Sequence, residues 1–244
     1  MTLSKSNLYV LLVLFSIANL YPLWLLDYFP SVDGPAHVAL THIWLNYENE
    51  GYAIYREFFE KSSINSPNML VYFLLYCLMM VFPPFVAEKL LLSLFVVGLP
   101  MSVWYMTTSY NYKGGVVALL SFPLVYNYIT YFGFYNFLFG SLVYCITMGY
   151  WLRYRGKRSW STPVFTALLL LGAYYTHLSS VIFLILSISI LLIFEIVQIY
   201  VLRTVSAPSL SEVQTISLKE QTALFILASL PVSVLLAIYF LTVY

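Results

Sequence analysis

A short polar segment after the first apolar stretch contains residue types that carry acid–base chemistry. Asp33 lies two residues before Pro35 and four before His37. Proline suits the first turn of a helix and Gly34 is acceptable before it, so a helix is predicted to begin here. Free N–H groups and the helix dipole favour an ionised carboxylate at this place. Asp33 is therefore predicted to act as a base or to orient a nucleophile, and the alternative is that it only caps the helix.

His37 is the second residue of this segment that could act chemically. A working metal site needs at least three ligands, and no recognisable spacing nearby supplies a third. We therefore expect neither a metal nor another cofactor, and we assign His37 to hydrogen bonding within the loop or to an anionic ligand. The apolar residues that follow have the spacing of a helix lying on a membrane surface. They are Leu40, Ile43, Trp44 and Tyr47.

The composition indicates the kind of fold that must hold these residues. Hydrophobic residues make up 61% of the chain and charged residues only 9%, whereas a soluble domain has about 25% charged residues. Most of the surface must therefore face lipid, which predicts an all-α polytopic membrane protein with one transmembrane domain over residues 1–244. The net charge of +1 argues against nucleic acid as a partner.

The long uncharged stretches place about seven predicted spans, since roughly 18 apolar residues suffice to cross a bilayer. The predicted spans are residues 8–26, 90–112, two within 114–152, two within 162–202, and 222–244. The two longer stretches divide at residues 126–136 and 174–177, where polar side chains interrupt them. Residues 69–82 are apolar for only 14 residues between prolines, which predicts a half-crossing helix. The Ser-rich segment 204–220 is predicted to be a linker.

The basic residues indicate the orientation, because cytoplasmic loops retain Lys and Arg. An N-terminus inside leaves only Arg56, Lys61 and Lys89 outside. The other eight then face the cytoplasm: Lys5, Lys113, Arg153, Arg155, Lys157, Arg158, Arg203 and Lys219. An eight-span arrangement with the N-terminus outside also fits the basic residues, but the charges flanking the first span disfavour it. The main outer loop is then residues 27–89, predicted to contain juxtamembrane helices.

Further polar residues are expected to converge on the outer surface in this topology. Lys89 opens the second span, and His177 lies between the fifth and sixth. Cations gather phosphates at a membrane surface, so a site for a lipid-linked phosphate is predicted. Alternatively, Lys89 forms only a surface ion pair with Glu88. The candidate substrate-binding residues are Asp27, His37, Arg56, Lys89, Asn136 and His177.

The chain resembles the GT-C superfamily of polyprenyl-phosphate-sugar-dependent glycosyltransferases in the order of its elements: a first span, an outer loop that opens with an acidic residue, a Pro-Asn half-crossing helix and a second span that starts with a basic residue. Four sequence motifs accompany this order. They are Asp-x-Pro-x-His at 33–37, Pro-Asn at 67–68, Phe-Pro-Leu-x-Tyr-Asn at 122–127 and Gly-Phe-x-Asn-Phe at 133–137. The superfamily includes protein O-mannosyltransferases and the aminoarabinose transferases of lipid A, and the motif set is similar to bacterial membrane proteins of this type. The resemblance implies a lipid-linked sugar donor, transfer on the outer face of a bacterial cytoplasmic membrane, and catalysis by Asp33 or Asp27.

The chain departs from that superfamily in two ways. Many members have a second acidic residue between the third and fourth spans, where this chain has Asn136. Most continue into further spans and an outer C-terminal domain, so the chain is expected to be either a minimal enzyme or one that takes its acceptor-binding parts from a protein partner. The alternative function is a non-catalytic membrane subunit or scaffold that docks a partner through the outer loop. A transporter is disfavoured because Glu195, the acidic residue in an apolar stretch, lies near a helix end.

Overall fold

The computed structural model describes residues 5–61, 65–157, 159–205 and 208–243 of the chain. Every regular element in these ranges is a helix, which confirms the all-α prediction. Two 3-10 helices cover Glu50–Tyr52 and Tyr112–Leu124. The α-helices are α1 (Lys5–Leu25), α2 (Gly34–Leu45), α3 (Tyr55–Phe58), α4 (Leu70–Met79), α5 (Pro84–Tyr110), α6 (Tyr128–Phe132), α7 (Tyr135–Tyr154), α8 (Ser161–Thr176), α9 (Leu178–Val205) and α10 (Pro208–Val243).

Four stretches among the described residues are helical, long and apolar enough to cross a membrane. They are Ser6–Leu25, Pro84–Tyr110, Leu178–Gln198 and Leu218–Thr242. Each is at least 20 residues long, and about 20 residues of helix match the 30 Å hydrocarbon core of a bilayer. The chain is therefore consistent with a multi-pass membrane protein. The count of about seven spans stays a prediction.

Local sequence explains where the helices break. Extended backbone at His177 separates α8 from α9, as the interruption at residues 174–177 predicts. Asn127 caps α6 by accepting two backbone N–H groups, and Gly133 closes that helix with φ +80°. Helix α4 has only 10 residues, about 15 Å of length, so it is too short to cross. The linker prediction for residues 204–220 was wrong: α10 begins at Pro208, a residue suited to a first helical turn.

The helices form a bundle with two distinct ends. One end holds the end of α7 with its basic residues, and there Arg153 lies 4.8 Å from the Tyr105 ring of α5. We call it the basic end. At the other end, the starts of α2, α5 and α7 meet around Asp33, and we call it the site end. The Tyr112–Leu124 3-10 helix begins near the basic end and returns to the site end, where the Tyr126 hydroxyl donates to the carbonyl of Asn19.

Apolar side chains hold these elements together in three buried clusters. The first joins α1, α4, α5 and α7 beneath the site end and contains Leu75, Leu91 and Phe95. The second joins the four helices α7, α8, α9 and α10 around Trp151 and Tyr174. The third packs the long 3-10 helix on α1. The first cluster gives the site end a rigid floor.

Candidate functional site

The two segments that carry the Asp33 and Gly133 motifs lie directly against each other. The backbone N–H of Asp33 donates to the carbonyl of Phe132 at 3.0 Å. A Cβ atom at Gly133 would lie 2.6 Å from the backbone nitrogen of Gly34, and the residue already has a φ of +80°. Glycine is therefore required at 133 both for its backbone conformation and for the close approach of the other chain segment.

Asp33 occupies the N-cap position of α2, yet its side chain makes no capping hydrogen bond. Asp33 therefore stands where the capping alternative places it, but its side chain does not cap the helix by a hydrogen bond. Its partly exposed carboxylate has no hydrogen-bond or ion-pair partner among the described residues. The dipole of α2 favours negative charge there. The arrangement leaves a carboxylate that can accept a proton or a hydrogen bond from an incoming group.

His37 lies one helical turn beyond Asp33 and is held from several sides. Its Nε2 is 3.0 Å from the Gly133 carbonyl oxygen, to which the ring N–H donates. The rings of Tyr72 and Tyr135 each lie 5.2 Å from the imidazole. Burial lowers the pKa of His37, outweighing the Gly133 hydrogen bond and the charge of Asp33, which raise it. The imidazole is therefore neutral at pH 7, so it does not form an ion pair that would occupy Asp33.

A buried hydrogen-bond chain lies directly beneath Gly34. The Tyr135 hydroxyl donates to Glu88 Oε1 at 2.6 Å, and Ser31 Oγ lies 2.9 Å from the same hydroxyl. Because Tyr135 has one proton to give, Ser31 is the donor in the second bond. Glu88 is 3% exposed and Lys89 8%. The predicted surface ion pair between Glu88 and Lys89 is therefore wrong, since both side chains are enclosed where α5 packs against its neighbours.

The predicted cationic ligands have protein partners. The Lys89 ammonium donates to the carbonyl of Leu26 and lies 5.5 Å from the Trp24 ring. Arg56 pairs with Glu50 at 3.1 Å. Both therefore stabilise the outer loop, and their predicted contact with a phosphate stays a prediction.

The remaining predicted ligands occupy separate places at the site end. Asn136 is buried at the start of α7, and its Oδ1 lacks a hydrogen-bond partner in the described part of the chain. His177 Nδ1 is 2.7 Å from the Ser179 hydroxyl, its ring meets Phe137 edge-on at 5.3 Å, and burial lowers its pKa. Asp27 is exposed. The contacts therefore join His37 to the Asp33 segment, and the roles of the other three stay predictions.

A groove of about 370 Å³ lies between the second half of α2, α4 and the segment before α4. Its volume falls within the range of small-ligand pockets. Tyr72 forms part of the groove wall and also contacts His37, so the groove adjoins the Asp33 segment. It is lined by Leu40, Ile43, Trp44, Tyr47, Phe59, Glu60, Lys61, Met69 and Tyr72.

Sequence reasoning did not identify Ser31, Tyr135 or the buried state of Glu88. Tyr135 is the unspecified position of the Gly-Phe-x-Asn-Phe motif, and Glu88 precedes the predicted basic residue. Their partnership joins residues 47 positions apart, which no local spacing reveals. Among the described residues, no three His, Cys, Asp or Glu side chains lie close enough together to hold a metal ion.

Comparison of the chain with protein-family models, with curated proteins and with solved structures finds no match. Function is therefore argued from the geometry of the site end and from the motif resemblance.

Proposed function

We propose that this chain is a membrane glycosyltransferase of the GT-C type that uses a polyprenyl-phosphate sugar on the outer face of a bacterial cytoplasmic membrane. The observation that carries the proposal is the partly exposed Asp33 carboxylate, which lacks a hydrogen-bond or ion-pair partner among the described residues. A polar group that serves only the fold is normally satisfied by a partner. The neutral His37 beside it leaves the carboxylate available.

The proposed reaction is a displacement at the anomeric carbon of the donor sugar. The hydroxyl oxygen of the acceptor bonds to that carbon while the bond from the carbon to the phosphate oxygen breaks. The hydroxyl proton passes to the Asp33 carboxylate, and the electron pair of the broken bond leaves with the polyprenyl phosphate. Because this phosphate is a competent leaving group as an anion, Asp33 contributes chiefly by removing the proton.

The groove that reaches the Asp33 segment through Tyr72 supports a lipid-linked donor. Its walls are mainly aromatic and aliphatic, which suits a prenyl chain, and Lys61 adds a cation. Lys61 pairs with Glu48, but the two side chains are 50% and 73% exposed. Solvent weakens such a surface pair, so a donor phosphate can replace Glu48. Lys89, His177 and the other predicted ligands stay candidates for the remaining contacts.

Seven crossings with the N-terminus inside complete the proposal, and element lengths support them. Besides the four long apolar stretches, α7 has 20 residues and α8 has 16, about 30 Å and 24 Å of helix. The long 3-10 helix has 13 residues, and its larger rise extends it to about 26 Å. These three elements are close to the bilayer core in length. Helix α4 is then the half-crossing helix beside the site.

The proposal is tested by turnover of a lipid-linked sugar with the purified chain in lipid. We expect Asp33→Asn to lower the rate about a hundredfold or more, because the amide cannot accept the proton. Glu57→Gln is the matched control, since Glu57 is an exposed acid of the same loop, and it should leave the rate unchanged. Equal rates for the wild type and Asp33→Asn would refute the catalytic assignment.

One observation favours the second candidate, a non-catalytic subunit that docks a partner. Ile54 is 56% exposed and Phe58 75% exposed in the segment between α2 and α4, and exposed apolar patches mark interaction surfaces. In this case neither the wild type nor Asp33→Asn would yield product with any lipid-linked sugar, while Phe58→Ser would release a bound partner protein.

A further inference from the structure

A second cavity lies at the basic end, far from Asp33. Its volume is about 530 Å³, and we call it the basic-end pocket. It lies between the end of α7, the start of α8 and the first apolar turns of α10. It is lined by Arg155, Gly156, Lys157, Ser159, Trp160, Glu220, Ala223, Leu224 and Leu227.

Arg155 is fixed in this pocket by an ion pair. Its Nη2 lies 2.6 Å from Glu195 Oε1, and the two side chains are 21% and 24% exposed. Its other terminal nitrogen, Nη1, has no hydrogen-bond partner among the described residues. Because Nη1 is itself buried, a ligand in the pocket meets the other atoms of Arg155, which line it.

Lys157 adds a second positive charge on the pocket rim. Its ammonium lies 4.6 Å from the centre of the Tyr154 ring, and it pairs with no carboxylate in the described part of the chain. Gly156 between the two basic residues has nothing within 4 Å of its would-be Cβ, so an incoming group meets open space there. Glu220 supplies the one acidic side chain of the lining. Glu195 already offsets the charge of Arg155, so the positive charge offered to a ligand is that of Lys157.

The pocket is apolar on its deeper side. Ala223, Leu224 and Leu227 belong to the first turns of the Leu218–Thr242 apolar stretch. Trp160 on the opposite wall is 78% exposed, and tryptophan favours the level of the lipid headgroups. Basic groups above an apolar floor match the boundary between headgroup and acyl chain.

We propose that the basic-end pocket binds the phosphodiester headgroup of an anionic phospholipid. The phosphate oxygens accept from Arg155 and Lys157, and the first acyl carbons pack on the α10 side of the pocket. A free phosphate shares the anionic chemistry but would leave the apolar floor uncovered. Basic pockets between membrane helices hold anionic headgroups in this way.

The test measures lipid binding to the full chain in detergent by native mass spectrometry, with phosphatidylglycerol, phosphatidylcholine or inorganic phosphate. We expect phosphatidylglycerol to bind at least fivefold more tightly than phosphatidylcholine. Lys157→Gln should weaken it about fivefold, the contribution of one basic residue. Ala223→Trp should abolish it without changing charge, because the new ring fills the pocket. Lys157 is exposed, so its loss should leave folding intact.

Arg153→Gln is the matched control, because Arg153 belongs to the same basic cluster but does not line the pocket. Its binding of phosphatidylglycerol should equal that of the wild type. Equal loss in Arg153→Gln and Lys157→Gln would overturn the proposal in favour of diffuse surface attraction. Equal binding of phosphatidylglycerol and phosphatidylcholine would overturn the proposal as well. Binding of inorganic phosphate alone, without either lipid, would also overturn it.

Discussion

At residue 34, the absence of a side chain decides the packing around Asp33. A Cβ there would lie 2.0 Å from Ser31 Oγ and 2.4 Å from both Glu88 Oε1 and the Tyr135 hydroxyl. The position therefore lies inside the hydrogen-bond chain rather than beside it. A larger residue must move the buried Glu88 carboxyl away from the Tyr135 hydroxyl, its one hydrogen-bond donor among the described residues, which leaves a costly unsatisfied group.

We predict that Gly34→Ala destabilises the chain by about 1–3 kcal/mol, the usual cost of overpacking. Thermal unfolding in detergent should show a midpoint lower by about 2–4 °C for each kcal/mol. Gly156→Ala is the control, because nothing lies within 4 Å of its would-be Cβ. A midpoint for Gly34→Ala equal to that of Gly156→Ala would contradict the packing described for residue 34.

His37 makes the stability of the site end depend on pH. Burial holds the pKa of His37 below the usual value of 6.5. Between these two pKa values, the imidazole is protonated in the unfolded chain but neutral in the native chain. Stability is therefore complete above about pH 6.5 and is lost as the pH falls from there toward the lower native pKa. Protonation would also place a hydrogen on Nδ1, which has no acceptor among the described residues.

We predict that His37→Gln reduces this loss of stability, because the amide can still donate to Gly133 but takes up no proton. The measurement is the thermal midpoint between pH 7.5 and pH 5 for both proteins. His177, whose pKa is also lowered by burial, remains in both proteins and contributes to the pH dependence left in the variant. A variant with the full pH dependence of the wild type would exclude His37 as its source.

Among the elements, the Tyr112–Leu124 3-10 helix is the most unusual, since such helices seldom exceed four residues. Its buried positions Gly115, Ala118 and Ser121 repeat every third residue. Side chains three apart lie above one another in a 3-10 helix, so these small residues form one stripe. The stripe faces α1 and α5, where Leu12 and Trp104 pack against the helix.

We predict that Ala118→Leu lowers stability by about 1–3 kcal/mol, because Ala118 is fully buried in the stripe. Val117→Leu is the matched control. Because Val117 is 44% exposed, the additional methylene of the leucine extends toward the surroundings rather than into the stripe. Thermal unfolding of both variants in detergent is the measurement. If Val117→Leu proved the more harmful of the two, the three-residue periodicity would be wrong.

At the scale of the whole molecule, the two ends carry different chemistry. The site end has Asp33, His37 and the groove, and the basic end has Arg155 and the second pocket. Between the outer loop and residue 156 lie α5, the long 3-10 helix and α7. If all three of these elements cross the membrane, the two ends lie on opposite sides of it. If only two of them cross, the two ends lie on the same side.

We predict that a membrane-impermeant maleimide labels Glu57→Cys in intact cells but labels Gly156→Cys only after permeabilisation. Both variants are made in a background with Cys77→Ser and Cys145→Ala, which removes the two native thiols. Labelling of both sites in intact cells would mean that the 3-10 helix does not cross. Labelling of Gly156→Cys alone would reverse the proposed orientation.

The sequence by itself determined the class of fold, the approximate helix bounds and the position of Asp33 at a helix start. These depend on local features, namely apolar runs, prolines and residues such as His177 that interrupt a run. Residues 204–220 were wrongly predicted to be a linker, because Ser and Gln are common in loops as well as in helices. Local pattern alone does not separate these two cases.

Only the tertiary structure decided which polar groups are paired. Glu88 and Lys89 are neighbours in sequence, yet Glu88 bonds to Tyr135 and Lys89 bonds to the carbonyl of Leu26. The Asp33 carboxylate, by contrast, has no partner among the described residues, and the backbone N–H of Asp33 donates to the carbonyl of Phe132. Pairing depends on distances between segments far apart in the chain, which residue types and spacing do not contain.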